Sequence, residues 1–217
     1  MCIRDRVNGE ILAGKTNADI LISSDRFWYE EMAQRKRLKI FQHPALSNLD
    51  SELKHPKGYY HTLSLPVMVL AYNSEGLTPS QAPQTFKELI SPKWQGKFST
   101  GSPLSSGTNF TTVAFLAQRY GWSYFEKLQK NGTISEGGNS AVVRRIQSKE
   151  RPVGWVLLEN ILRFQKKDKR LKTVFPSDGT IIHNNVLALT EKKGDRSQAE
   201  KVAVSYTHLT LPTTPYV

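Results

Sequence analysis

The 217-residue chain holds one cysteine, Cys2, so no disulfide forms within it, and no cluster of cysteine and histidine suggests a metal. It has no run of about 18 apolar residues, so nothing in it crosses a bilayer as a helix. G-x-S-x-G, Walker and H-E-x-x-H motifs are missing, which leaves an enzyme with little to rest on. Acidic residues are the scarcer charge, 19 against 30 Lys plus Arg, and the net +11 favours anionic partners without identifying one. The basic runs at residues 35–37 and 166–170 fall where helices are expected to end, and cations are favoured there in any case. No interleaved aromatics offer a stacking platform for bases, so nucleic acid is not an expected partner. Apolar residues are not scarce: 38% hydrophobic and 10% aromatic content suffices for a core and excludes a disordered chain. The length suits one large domain or two small lobes.

Short apolar runs alternate with amphipathic stretches. Residues 18–22 read as a buried strand, and residues 26–37 as a helix with Trp28 and Met32 on one face. Residues 65–73 form the most apolar run, a second strand that tolerates Pro66 at its start. A third strand begins at Lys97, and helices follow over 110–120, stopped by Gly121, and over 122–130. Asn139 and Ser140 are expected to cap a helix carrying Val142, Val143 and Ile146. Residues 153–158 read as a buried strand running into a helix over 159–167, with last strands at 173–175 and 181–189 and a helix from Ser197. This alternation predicts an α/β fold with a mainly parallel sheet. Residues 1–6 lack any pattern, and residues 205–213 follow a helical stretch abruptly. Both ends, 1–6 and 205–217, read as translated sequencing-adapter tails and are set apart from the fold. Cys2 goes with them, and the absence of a signal peptide then carries no information.

Small polar residues gather where strands give way to helices: Ser23, Ser24 and Asp25; Ser105, Ser106, Gly107 and Thr108; Asn139 and Ser140; Glu159 and Asn160. Ligands of open α/β sheets bind at the carboxyl ends of strands. Helix N-termini hold anions through unpaired N–H groups and a partial positive charge. Gly107 lets the backbone approach a ligand with no Cβ in the way. Taken singly, each such residue reads first as an ordinary N-cap, contributing about 1 kcal/mol. The turn at 105–108 is the exception, because it carries three hydroxyls where one would cap. His43, His55 and His61 lie in a polar stretch and are expected to be solvated; His183 reads as a hydrogen-bonded structural residue in a strand. No metal or cofactor is expected.

The order of these pieces resembles the extracellular solute-binding proteins of bacterial ABC importers, in the branch that includes ferric-iron and phosphonate binders. The resemblance is carried by Ala18-Asp19-Ile20 before Ser23-Ser24-Asp25, and by Val69-Leu70-Ala71-Tyr72-Asn73. The segment from Phe86 through Pro92-Lys93-Trp94-Gln95-Gly96-Lys97 adds to it, and so do Ser105–Thr108, Gly121-Trp122-Ser123-Tyr124-Phe125 and Gly138-Asn139-Ser140. It covers residues 10–203 and implies a two-lobed, type II periplasmic-binding-protein-like α/β fold with an incomplete first lobe. Lobe 1 is expected over 7–74, lobe 2 over 75–175, and a return to lobe 1 over 176–204, with crossing strands near 66–74 and 176–189. Ligand would be clamped in the cleft. Iron binders of this branch carry adjacent tyrosines where this chain has Glu159 and Asn160. The segment around Val156–Asn160, with Phe175–Gly179, is closer to 2-aminoethylphosphonate binders.

The expected function is therefore capture of a small organic anion, 2-aminoethylphosphonate or another phosphonate or phosphate compound, by hinge closure. The expected protein is a periplasmic, non-catalytic monomer that delivers its solute to an inner-membrane ABC permease. Ser105, Ser106, Gly107 and Thr108 would supply donors to the anion, Asn139 and Ser140 further donors of the second lobe, and Ser24 with Asp25 a share from the first. Glu159 would hold an ammonium, or be an ordinary first-turn acid. Tyr72 would line the cleft or pack. Ferric iron, a phosphate-ester enzyme and a regulatory sensor of the same fold are the alternatives.

Overall fold

The computed structural model describes residues 3–47, 49–192 and 194–210. They part into two units, residues 1–65 with 184–217 and residues 66–183. In chain order the elements of the first unit are α1 (Ile3–Leu12), β1 (Ile20–Ser23), α2 (Arg26–Gln34), β2 (Leu38–Lys39) and β3 (His61–Ser64). The second unit holds β4 (Val67–Asn73), β5 (Phe98–Thr100), α3 (Gly107–Tyr120), α4 (Trp122–Lys130) and β6 (Ile134–Ser135). It continues with α5 (Asn139–Ser148), β7 (Val153–Leu157), α6 (Leu158–Gln165), β8 (Leu171–Val174) and β9 (Ile181–Ile182). The first unit then resumes with β10 (Asn185–Thr190) and α7 (Ser197–Thr210). Helices α1 and α7 thus run into both terminal segments set apart in the sequence; Cys2 and residues 211–217 lie outside the described residues.

In the second unit, β4 explains the most apolar run of the chain. Successive side chains of a strand point to opposite faces, so both faces must be buried if every residue is apolar. Met68, Leu70 and Tyr72 enter a core with Phe86, Trp94, Phe98, Leu116, Tyr124 and Trp155. Val69 and Ala71 enter a second core with Val142, Val143, Ile146, Val156, Ile161 and Leu171. Helices α3 and α4 cover the first face, α5 and α6 the second. Tyr72 packs, at 4% exposure.

The sheet order is β6-β5-β7-β4-β8, with β9 also on β4. Only β5–β6 and β5–β7 are parallel; β7, β8 and β9 all meet β4 antiparallel. In the first unit, β10 pairs with β1, β2 and β3, every time antiparallel. The sheet expected to be mainly parallel is therefore mixed in one unit and antiparallel in the other. Apolar runs report burial, and strand direction is fixed by connections that periodicity does not reveal.

The first unit repeats the two-sided plan on a smaller scale. Val186 and Ala188 of β10 pack with Leu21, Trp28, Tyr29 and Met32, while Leu187 and Leu189 pack with Phe41, Leu46, Leu63 and Ala203. The strand expected over 181–189 is broken at His183 and Asn184 into β9 and β10, which belong to different units. Residues 66–74 and 176–183, expected as crossings with 66–74 counted in the first lobe, pack within the second unit instead. Burial of Met68, Leu70 and Ile181 in its core accounts for that.

Candidate functional site

Parallel β6, β5 and β7 end at one edge of the second unit's sheet, and each leads to a helix: β6 to α5, β5 to α3, β7 to α6. Three sets of unpaired backbone N–H groups therefore start from neighbouring strand ends. Ser106 is the N-cap of α3, and its hydroxyl accepts from the Asn109 N–H at 3.4 Å. Ser105 is exposed on the turn before it, where the backbone N–H groups of Ser105 and Ser106 both donate to the Ser102 carbonyl. Gly107 opens the helix, and Thr108 beside it is buried at 7% exposure. The Ser106 and Thr108 hydroxyls lie 3.2 Å apart.

Asn139 and Ser140, expected as caps, are instead the first two residues of α5, which Gly138 precedes without a side-chain cap bond. Freed from capping, Asn139 reaches α3: its Nδ2 donates to Thr108 Oγ1 at 3.3 Å, and its Oδ1 accepts from Asn109 Nδ2 at 3.5 Å. Ser140 Oγ accepts from Arg163 Nη2 at 3.4 Å. The structure thus joins Ser106, Thr108 and Asn139 in one network, with Ser105, Gly107 and Ser140 adjacent in sequence.

Asn109 is the member that sequence reasoning missed. It is fully buried, and its Nδ2 donates to Ser106 Oγ at 3.0 Å while its Oδ1 accepts from Trp155 Nε1 at 3.0 Å. Thr100 Oγ1 stands 3.1 Å from the same Oδ1. A Cβ on Gly101 would come within 2.4 Å of the Asn109 carboxamide, so glycine is required for that close approach. The signal was present in the sequence. Asn109, Thr112 and Leu116 follow helical spacing, and all three occupy the buried face of α3, where an unpaired asparagine would be costly.

Glu159 sits in the first turn of α6. Its surface is exposed, yet desolvation around the carboxyl group pushes its pKa above the usual carboxylate range, against the pull of its own backbone N–H. Ser24 and Asp25 belong to the first unit and are buried. Asp25 is the N-cap of α2, accepting from the Trp28 N–H at 3.2 Å, and it pairs with Arg4 at 3.1 Å. Its carboxylate is occupied within its own unit.

The histidines divide differently from expectation. His183 is buried, with Nδ1 2.7 Å from Thr111 Oγ1 and Nε2 3.3 Å from Thr112 Oγ1, and it follows β9 instead of lying inside a strand. His61, expected to be solvated, is 3% exposed in β3 because its strand is covered on that face, and its Nε2 has no hydrogen-bond partner among the described residues. Burial lowers both imidazoles to about 4. His61 also lines a cavity of about 410 Å³ in the first unit, with Phe41, Leu46, His55 and Tyr60. That cavity contains none of the residues expected to bind ligand.

The sequence matches the family described as bacterial extracellular solute-binding protein over residues 15–207. Among solved structures it is similar to the substrate-binding protein of an ABC transporter from Agrobacterium tumefaciens, at 18% identity and TM-score 0.82, covering 94% of this chain and 62% of that one. It is similar to the periplasmic binding protein AfuA from Actinobacillus pleuropneumoniae, at 19% identity and TM-score 0.80, covering 94% and 68%. It is also similar to the ferric binding protein from Campylobacter jejuni, at 18% identity and TM-score 0.80, covering 93% and 69%. The chain spans less than two thirds of the Agrobacterium protein's length, and at these identities the likenesses establish the periplasmic-binding-protein fold. The matched family is one of extracellular binders and not of enzymes. The chain belongs to the bacterial extracellular solute-binding protein family.

Proposed function

We propose that this chain is the solute-binding component of an ABC importer and that its second unit receives the anionic group of a small organic solute, a phosphonate or phosphate compound. The observation that carries the proposal is the network of Ser106, Thr108, Asn109 and Asn139, which ties the N-termini of α3 and α5 together. Backbone N–H groups of Gly107 and Thr108 and of the first turn of α5 add donors and positive potential. AfuA, similar in fold, has a solved structure with fructose-6-phosphate bound, which supports a phosphoryl group as ligand. 2-Aminoethylphosphonate remains the preferred solute, with Glu159 receiving its ammonium. Hinge closure on the solute and hand-over to a membrane permease complete the proposal.

Ferric iron is the second reading, because ferric binding proteins are among the similar structures. Glu159 and Asn160 stand where the iron binders' tyrosines would be expected, which favours the organic anion. Calorimetric titration of the full chain with 2-aminoethylphosphonate tests the proposal. A hydrogen bond to a charged group contributes about 1.5–3 kcal/mol, so Thr108→Ala should weaken binding roughly 10- to 100-fold, and Ser106→Ala, which removes the hydroxyl that orients Thr108, should weaken it by a smaller factor. Wild-type affinity in both variants would remove the turn from the site.

A further inference from the structure

The network has a direction, and that direction names the ligand's chemistry. Trp155 Nε1 donates and never accepts, so the group it meets on Asn109 must be the carboxamide oxygen. Asn109 Nδ2 is thereby turned toward Ser106 Oγ at 3.0 Å and Asn139 Oδ1 at 3.5 Å. Ser106 Oγ accepts twice, from Asn109 Nδ2 and from the Asn109 backbone N–H, so both its lone pairs are used and its hydrogen points to Thr108 Oγ1, 3.2 Å away. Asn139, with its oxygen on Asn109, must direct Nδ2 to Thr108 Oγ1 at 3.3 Å. Thr108 Oγ1 then also accepts twice, and its own hydrogen is left over. Asn109 Oδ1, Ser106 Oγ and Thr108 Oγ1 are each filled twice from within the protein, and Asn139 Oδ1 is turned to Asn109. What remains for a ligand is hydrogens: the Thr108 hydroxyl, the second Asn139 Nδ2 hydrogen and the backbone N–H groups that open α3.

We infer that Asn109 is a positioning and specificity-determining residue that, held by Trp155, makes the start of α3, from Ser106 to Thr108, present hydrogens only. It selects an acceptor-only oxyanion, such as the dianion of a phosphonate or phosphate ester, a sulfonate or a carboxylate. Inorganic phosphate is disfavoured, because at neutral pH it keeps at least one P–OH that needs an acceptor. A bare metal cation has no lone pair to meet there. The inference rests on the function proposed above and deepens it.

Sulfate and inorganic phosphate are the probes, titrated calorimetrically into the full chain at neutral pH and fixed ionic strength. Sulfate has no hydrogen to donate; phosphate does. The wild type should bind sulfate more tightly than phosphate. Asn109→Asp is nearly isosteric but presents only acceptors to Ser106 and Asn139, which reverses the relay and leaves acceptors facing the ligand. It should lower the sulfate-to-phosphate affinity ratio by about tenfold or more, the scale of one charge-assisted hydrogen bond. Trp155→Phe keeps the ring packing against Phe86 and Phe98 but frees the carboxamide to turn over, so it should lower the same ratio by a smaller factor. Should Asn109→Asp fail to fold, Trp155→Phe alone decides. A purely structural role would weaken both anions alike, and an unchanged ratio in the folded variants overturns the inference. If Ser106→Ala and Thr108→Ala weaken anion binding while the ratio stays fixed in Asn109→Asp and Trp155→Phe, the relay is wrong and the turn stands. If the alanine variants change nothing, the turn itself falls and the relay with it.

Discussion

Acidification should unfold this protein through two histidines, one in each unit, before its carboxylates matter. His61 and His183 are 3% and 4% exposed, and burial lowers each imidazole from 6.5 to about 4. Both are bases whose neutral form is favoured in the fold, while the unfolded chain takes up the proton near 6.5. Stability is therefore fully present above about pH 6.5 and is lost as pH falls toward 4, below which these two groups cause no further loss. At 1.36 kcal/mol per pH unit, the loss between about pH 8 and pH 4.5 is roughly 2.5 kcal/mol for each histidine. Asp19, Glu75, Asp168 and Asp195 have carboxyls held below their usual values, so their contribution disappears only at lower pH and with the same sign. Urea melts across this window, for wild type and for His61→Gln and His183→Gln, measure the effect. Each variant should be less stable than wild type at the alkaline end and show a shallower dependence on pH, by about the single-histidine amount. A His183→Gln protein with the wild-type pH dependence would refute the burial argument for that site.

Three further outcomes follow from the packing and the site. Gly154→Ala should destabilise the second unit by about 1–3 kcal/mol in a thermal or urea melt, an overpacking cost. Its new methyl would lie 2.5 Å from Val142 Cγ1 and 3.0 Å from the Ser99 carbonyl oxygen, which cannot swing away. Asp178→Asn should lower stability by about 1–3 kcal/mol in a urea melt, because one carboxylate accepts from the Phe86 and Lys87 N–H groups and from the Tyr120 hydroxyl, and an amide cannot accept at both of its ends. Glu159→Gln should cut the affinity ratio of 2-aminoethylphosphonate to methylphosphonate by about tenfold in calorimetry, since a charge-assisted bond to the ammonium is lost. In the unmutated protein the same ratio should fall as pH drops through the raised pKa of Glu159, and a ratio independent of pH would remove Glu159 from ammonium recognition.

The parts of the fold that follow from local pattern were legible. The apolar run ending at Asn73 is β4, Trp28 and Met32 share the buried face of α2, and Gly121 ends α3 with positive φ. Ser106 and Asp25 occupy the capping positions their chemistry suits. Features set by distant partners were not legible. The direction of β4 against β7 depends on residues about ninety positions apart, and no local period records it. His61 looked solvated because polar neighbours surround it in sequence, whereas its environment is the covered face of a strand. Asn139 looked like a cap, yet Gly138 precedes the helix and its carboxamide turns to Thr108. Asn109 was visible as a polar residue on an apolar helix face, but its meaning came only with Trp155, 46 residues downstream.

Strand β5 has three residues, all buried, and its ladder runs to β6 and to β7, pairing Ser99 with Ile134 and Phe98 with Val153. Such a strand has nothing nearby in sequence to fold against, and closing those long loops precedes any reward from the contacts. The turn proposed to hold the anion hangs from the end of β5, so it can become ordered only after the chain has supplied residues beyond Trp155. A chain cut short before that tryptophan would carry every hydroxyl of the turn without the strand that orders it, and slow, late assembly should be a kinetic signature of the second unit.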